Sequence, residues 1–137
     1  MSAGKIYGTT RGNPEQLNDL VRQEVSDLKQ DMVEFKVMET KDIVSIVELR
    51  NYIQEKHGQV DILINNAGHY FYPSQDRTEH FCQVQKTLEI NYWGLKNVCN
   101  AFLPMFSPAA RIVNMSSNLG HLSTIPGMDI KKVSWTP

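Results

Sequence analysis

The sequence lacks most of what marks a secreted, membrane-spanning or nucleic-acid-coating protein. It has two cysteines, Cys82 and Cys99, each within a helix-like pattern, too few for a disulfide framework and in keeping with a reducing, cytosolic compartment. No apolar run approaches the ~20 residues of a membrane span. The opening Met1-Ser2-Ala3-Gly4-Lys5 lacks the charged-then-apolar layout of a secretory signal. Charge of one sign is missing too: 14 Lys and Arg face 15 Asp and Glu, a formal net charge of -1, so no surface is built to track nucleic acid or an anionic membrane. No Gly-x-Ser-x-Gly elbow surrounds a serine, and His121 lies too close to Ser116 and Ser117 to be assumed a triad base, which disfavours a nucleophilic hydrolase. His57, His69 and His80 are scattered without the spacing of metal ligands, so no metal is expected. What remains, 137 residues at 41% hydrophobic and 21% charged, is ordinary soluble globular composition in the amount of one domain.

Short apolar runs alternate with longer amphipathic ones. Lys5 to Thr10 reads as a strand that meets the turn Gly12-Asn13-Pro14. From Pro14 to about Gln30, Leu17, Leu20, Val21, Val25 and Leu28 recur three or four apart, the stripe of a helix packed on one face. Val33 to Met38 alternates with period two. Thr40 and Asp42 are both candidate N-caps for a helix that carries Ile43, Ile46, Val47, Leu49, Tyr52 and Ile53 to a stop at Gly58. Val60 to Ile64 is nearly continuous in apolar residues, as a strand covered on both faces would be. A loop rich in aromatics (Tyr70, Phe71, Tyr72) leads to a long helix ending near Pro104, and Arg111 to Met115 reads as a fourth strand. The order β-α-β-α-β-α-β predicts an α/β fold, a Rossmann-like doubly wound sheet of four parallel strands and three helices with right-handed crossovers. In such sheets ligands bind at the carboxyl ends of the strands.

Each of those ends carries polar residues. Arg11 follows the first strand; it is either a surface residue at a turn or a planar guanidinium placed to bind a phosphate with two parallel hydrogen bonds. Glu39, after the second, either accepts from an adenine amino group or favours the positive end of the next helix. After the third comes Asn65-Asn66-Ala67-Gly68, where the asparagines can brace a sharp bend and the small residues let the backbone approach a ligand. In the long helix Leu88, Asn91, Leu95, Val98 and Phe102 share one stripe, so Asn91 is expected on the buried face. A buried amide without partners costs about 1–3 kcal/mol. Asn91 therefore needs another buried polar group, a local helix irregularity or an ordered water. After the fourth strand, Ser116 and Ser117 offer hydroxyls to the same crevice.

Asn65-Asn66-Ala67-Gly68 after a strand, Asn91 in the next helix and Ser117 after the next strand together resemble the short-chain dehydrogenase/reductase family. The resemblance covers nearly the whole chain up to about Gly120. Within the family the chain is most similar to monomeric NADPH-dependent carbonyl reductases, through Ile6 to Arg11 (IYGTTR), Gly58 to Gly68 (GQVDILINNAG), and Leu103 to Ser117, where Leu-Pro precedes RIVNMSS. By that resemblance Arg11 holds the 2′-phosphate of NADP(H), and Glu39 takes the place of an adenine-contacting Asp. Asn65, Asn66, Ala67 and Gly68 line the adenosine ribose and the central strand. Asn91 holds a water in a proton relay, and Ser117, with Gly120 three residues on, orients the substrate carbonyl. The implied activity is reduction of ketones, aldehydes or quinones to alcohols. Its partner is a small carbonyl substrate, with neither nucleic acid nor membrane, in a cytoplasmic protein that is monomeric when whole.

Two family features have no counterpart here. The chain starts at what the resemblance makes the second strand; Gly4, Gly8 and Gly12 recur every four residues, but the segment between them reads as strand, so they are not the Gly-rich turn that cradles a pyrophosphate. No tyrosine follows Tyr92, and Gly127 and Met128 stand four residues before Lys131 and Lys132, so the Tyr-x-x-x-Lys pair that supplies the proton is missing. The expectation is a single partial nucleotide-binding domain over residues 1–137, with 121–137 an irregular tail or the start of an insertion. Its sheet is split into two two-stranded pieces with exposed edges, and the chain alone is inactive. The alternative is a non-catalytic truncated form that acts by binding through an open sheet edge.

Overall fold

The computed structural model describes residues 4–24, 32–72 and 75–120. Four strands alternate with helices: β1 (Ile6–Thr10), α1 (Pro14–Glu24), β2 (Val33–Val37), α2 (Ile43–His57), β3 (Val60–Asn65), α3 (Arg77–Leu88), α4 (Leu95–Phe102) and β4 (Phe106–Asn114). Between α3 and α4 the chain makes a π-helical stretch, Glu89–Gly94. The expected run of the first helix to Gln30 and the tail 121–137 lie outside the described residues.

Local chemistry explains the boundaries. Pro14, preorganised for a first helical turn, opens α1. Of the two candidate caps for α2 it is Asp42, whose carboxylate accepts from the Val44 N–H at 3.0 Å. Gly58 stops that helix at φ 76°, a left-handed conformation that favours glycine. The fourth strand starts earlier than its apolar pattern suggests. Phe106 pairs with Val60, the ladder is interrupted, and pairing resumes at Arg111 opposite Ile62 and runs to Asn114 opposite Asn65.

All pairing is parallel, as the alternation predicts, but the four strands do not form one sheet: β1 pairs β2, and β3 pairs β4. What joins the two pairs is a helical layer on one face. Ile46, Leu49 and Ile53 of α2 bury against Val98 and Phe102 of α4, with Met38 beyond β2 and Met105 before β4 completing the cluster. Tyr7, Val60 and Leu63 reach it from the strands. On the other face α1 packs against β2, and the buried Asn18 accepts the Phe35 backbone N–H at 2.7 Å. Within the first pair Gly8 lies under the Phe35 ring, in space that a Cβ would enter.

The expectation that the third strand is covered on both faces fails. Leu63 packs on the core, but Ile62 and Ile64 are each 60% exposed, because among the described residues nothing lies over the second face of the β3-β4 pair where α1 covers β2. The continuous apolar run is a strand built to be covered twice and covered once.

Candidate active site

The carboxyl ends of the two strand pairs carry the residues singled out from the sequence. Beyond Thr10 and Val37 the first two strands stay side by side for one more residue, the Met38 N–H donating to the Thr10 carbonyl at 2.9 Å. The chains then diverge at Arg11 and Glu39, whose side chains meet as an ion pair, Nε to Oε2 at 3.9 Å. The Glu39 backbone is held on both sides. Its N–H donates to Ser45 Oγ at 3.0 Å and its carbonyl accepts from the Asp42 N–H at 2.9 Å. Arg11 is loose by comparison, its side chain 71% exposed.

Asn65 turns inward at the end of β3. It is buried, and its Nδ2 donates to Asn114 Oδ1 at 2.8 Å and lies 3.2 Å from Cys99 Sγ; its carbonyl accepts from the Met115 N–H. It ties β3, β4 and α4 together, which satisfies a polar side chain that burial would otherwise penalise. Asn66, Ala67 and Gly68 leave the strand and are exposed at its end.

Asn91 departs from its expected environment. It is exposed, and so is its stripe neighbour Leu88, whereas Val98 and Phe102 lower on the same stripe are buried. Above Gly94 the helix lacks cover among the described residues: α3 buries none of its residues on any face, and the i→i+5 stretch, which inserts one residue, turns the stripe by about 100° between the two halves. Asn91 sits inside that stretch, the helix irregularity that was one of its open readings. Its amide clamps the chain after β3: Oδ1 accepts from the His69 N–H and Nδ2 donates to the His69 carbonyl, both at 2.8 Å. Gly68 lies beside this clamp, a Cβ there standing 3.6 Å from Asn91 Oδ1.

Ser117 follows β4 and is exposed. Its Oγ accepts from the Leu119 N–H at 3.3 Å and its carbonyl from the Gly120 N–H at 2.9 Å, which turns Asn118–Gly120 into a single 3-10 turn. Two contacts escape a sequence reading. Gly94 is buried against Thr40, where a Cβ would stand 2.8 Å from Thr40 Oγ1, so the π-helical stretch locks the segment that carries Glu39. Asn114 faces Asn65 in the ladder, and only the matched asparagines at the two strand ends hinted at it.

The strongest electrostatic perturbations lie away from this end, between β1, β2 and the last turns of α2. Lys36 at 2.6 Å and Lys5 at 3.2 Å flank Glu34, and the hydrogen bond from Lys36 is the main cause holding its carboxyl below the ordinary range. The same bond raises Lys36. Burial, together with Tyr52 and Glu34 nearby, raises Tyr7, whose hydroxyl lies 2.8 Å from His57 Nε2. Among the described residues no group of His, Cys, Asp and Glu could hold a metal, and no helix is long and apolar enough to cross a membrane.

Residues 3–128 match the short chain dehydrogenase family model. Carbonyl reductase (NADPH) 1 of Homo sapiens is 36% identical over 83 residues, 61% of this chain and 30% of that protein. Carbonyl reductase (NADPH) 3 of Mus musculus is 36% identical over 86 residues, 63% of this chain and 31% of that protein. The chain thus spans about a third of the curated relatives it matches. Among solved structures, a short-chain dehydrogenase from Streptomyces avermitilis superposes with a TM-score of 0.66 at 26% identity, covering 82% of this chain and 40% of that one. Menthone neomenthol reductase from Mentha piperita gives 0.70 at 23% identity, over 84% and 52%, a likeness of fold. With strand-end residues, family match and fold in agreement, the chain belongs to the short-chain dehydrogenase family.

Proposed function

We propose that this chain provides the adenosine-binding side and the carbonyl-orienting serine of an NADPH-dependent carbonyl reductase acting on ketones, aldehydes or quinones. The observation that carries the reading is that Arg11, Glu39, Asn66–Gly68 and Ser117 each follow the carboxyl end of a parallel strand, where open α/β sheets bind ligands. The donor set fits NADP(H) on its adenosine side. Arg11, its side chain 71% exposed, is open to the 2′-phosphate, and Glu39 stands beside it for the adenine amino group. Ala67 and Gly68 keep the chain after β3 thin, while the Asn91 clamp on His69 fixes its course. When bound, NADPH supplies the hydride. Ser117 Oγ has one weak local bond and is available to donate to a substrate carbonyl. The Asn91 side chain gives one donor and one lone pair to His69, which leaves its second N–H and second lone pair, or the backbone of the π-helical stretch, to position a water.

Neither a Gly-rich turn nor a Tyr-x-x-x-Lys pair occurs at the matching places of the sequence, so this chain by itself binds the adenosine part of NADPH weakly and turns over no substrate. The test is NADPH consumption at 340 nm with an aromatic quinone, alongside isothermal titration with NADPH and NADH. Weak binding that favours NADPH, without turnover, supports the reading. Turnover overturns the inactivity, and equal or absent binding of the two nucleotides overturns the cofactor assignment.

The split sheet favours a second reading, that the chain acts through binding at the open edge of β3. Among the described residues β3 pairs only with β4, and a strand added to its other edge would slow amide exchange in Val60–Asn65; no slowing in any assembly the chain forms would remove this reading.

A further inference from the structure

The pairing of Arg11 with Glu39 has a consequence for nucleotide choice. The two residues differ in freedom: Glu39 is fixed by Ser45 and Asp42 on its backbone and by the Gly94–Thr40 contact next door, whereas Arg11 precedes Gly12 in an exposed turn. A phosphate recruited by Arg11 must therefore take the guanidinium from a half-buried carboxylate whose backbone stays where it is. At 3.9 Å the pair lies at the outer limit of contact. The guanidinium gives up little in leaving, but the carboxylate remains to repel a doubly charged group.

We infer that Glu39 acts as a specificity-determining residue that holds down the preference of Arg11 for a 2′-phosphorylated nucleotide, leaving the site more tolerant of a free 2′-hydroxyl than the arginine alone would make it. The inference rests on the cofactor reading above. A shorter carboxylate at the same place would stand back from Arg11 by one methylene and break a contact already at 3.9 Å. The length of Glu39, rather than its charge alone, sets the degree of restraint.

The experiment is an NMR shift titration of the full chain with adenosine 2′,5′-bisphosphate and with adenosine 5′-monophosphate, which differ only in the 2′-phosphate. The readout is the ratio of the two affinities, because a lost adenine contact would weaken both ligands alike and leave the ratio unchanged. Glu39→Gln is expected to raise the ratio in favour of the bisphosphate by about three- to tenfold at low salt, the scale of one screened charge acting on a dianion. Glu39→Asp is expected to raise it less. The gain should shrink in about 0.5 M salt, where the Debye length falls to about 4 Å. Arg11→Ala should bring the ratio close to one. A ratio unchanged or lowered by Glu39→Gln, while Arg11→Ala still abolishes the preference, overturns the inference and leaves the cofactor reading standing. A wild-type ratio near one that Arg11→Ala does not alter overturns both.

Discussion

Replacing Gly94 by alanine tests how the π-helical stretch fixes the strand-end loop. At an exposed helical position the change would stabilise by about 1 kcal/mol, since glycine is the poorer helix former. Here the new Cβ would stand 2.8 Å from Thr40 Oγ1, 3.0 Å from Thr40 Cβ and 3.2 Å from the Glu89 carbonyl oxygen. One neighbour is backbone, and Thr40 is a short branched side chain, so the strain cannot be shed by swinging a long side chain away. Overpacking of this kind costs about 1–3 kcal/mol. Set against the gain in helix propensity, Gly94→Ala should lose about 1–2 kcal/mol. In urea that lowers the midpoint by about 1 M, taking a slope of about 1.5 kcal/mol per M, with far-UV circular dichroism as the probe. Thr40→Gly should recover most of the loss when combined with Gly94→Ala, because it removes both threonine atoms in the way. A Gly94→Ala variant as stable as the parent, or a double variant no better than the single one, would refute the argument.

Gly8→Ala should destabilise by about 1–3 kcal/mol, since the added methyl enters the space of the Phe35 ring; Phe35→Leu in the same background should restore part of the loss in the same denaturation assay. Asn91→Ala removes both hydrogen bonds to the His69 backbone and should cost about 1–2 kcal/mol, with faster exchange of the His69 amide as its local signature. Stability should fall on acidification through Glu34. Its carboxyl is held below the ordinary range by Lys36, so its contribution is complete above the unfolded-state value and is lost as pH drops through the folded one. Urea midpoints measured from about pH 6 down to about pH 3 should decline less steeply in Glu34→Gln, and an equal decline would assign the acid sensitivity elsewhere.

Features set by neighbouring residues were legible in the sequence, and those set by distant surfaces were not. Asp42 caps α2 and Gly58 ends it because a carboxylate two residues before a free N–H and a glycine at positive φ are matters of a few adjacent residues. The strand-helix alternation and the parallel pairing follow from patterns of comparable reach. Ile62 and Ile64 look like core because the pattern records what a strand is suited to, not whether anything arrives to cover it. Asn91 is exposed for a related reason: the stripe suits it to a buried face, but among the described residues nothing buries α3, and the stretch Glu89–Gly94 buries only Gly94. The resemblance groups Asn65 with Asn66–Gly68 at the ligand, and its inward turn depends on Asn114, a partner 49 residues away.

The π-helical stretch also bears on which insertions and deletions the chain accepts. Because the helix above it is out of phase with the helix below by one residue, about 100° of rotation, removing any single residue between Glu89 and Gly94 should restore a continuous α-helix. That repair would swing Phe81 and Leu88 around the helix axis and pull the Asn91 amide off His69. The hydrogen bonds of the helix would improve while the loop after β3 lost its anchor. Length, at this one place, is as much a coded property of the chain as residue identity.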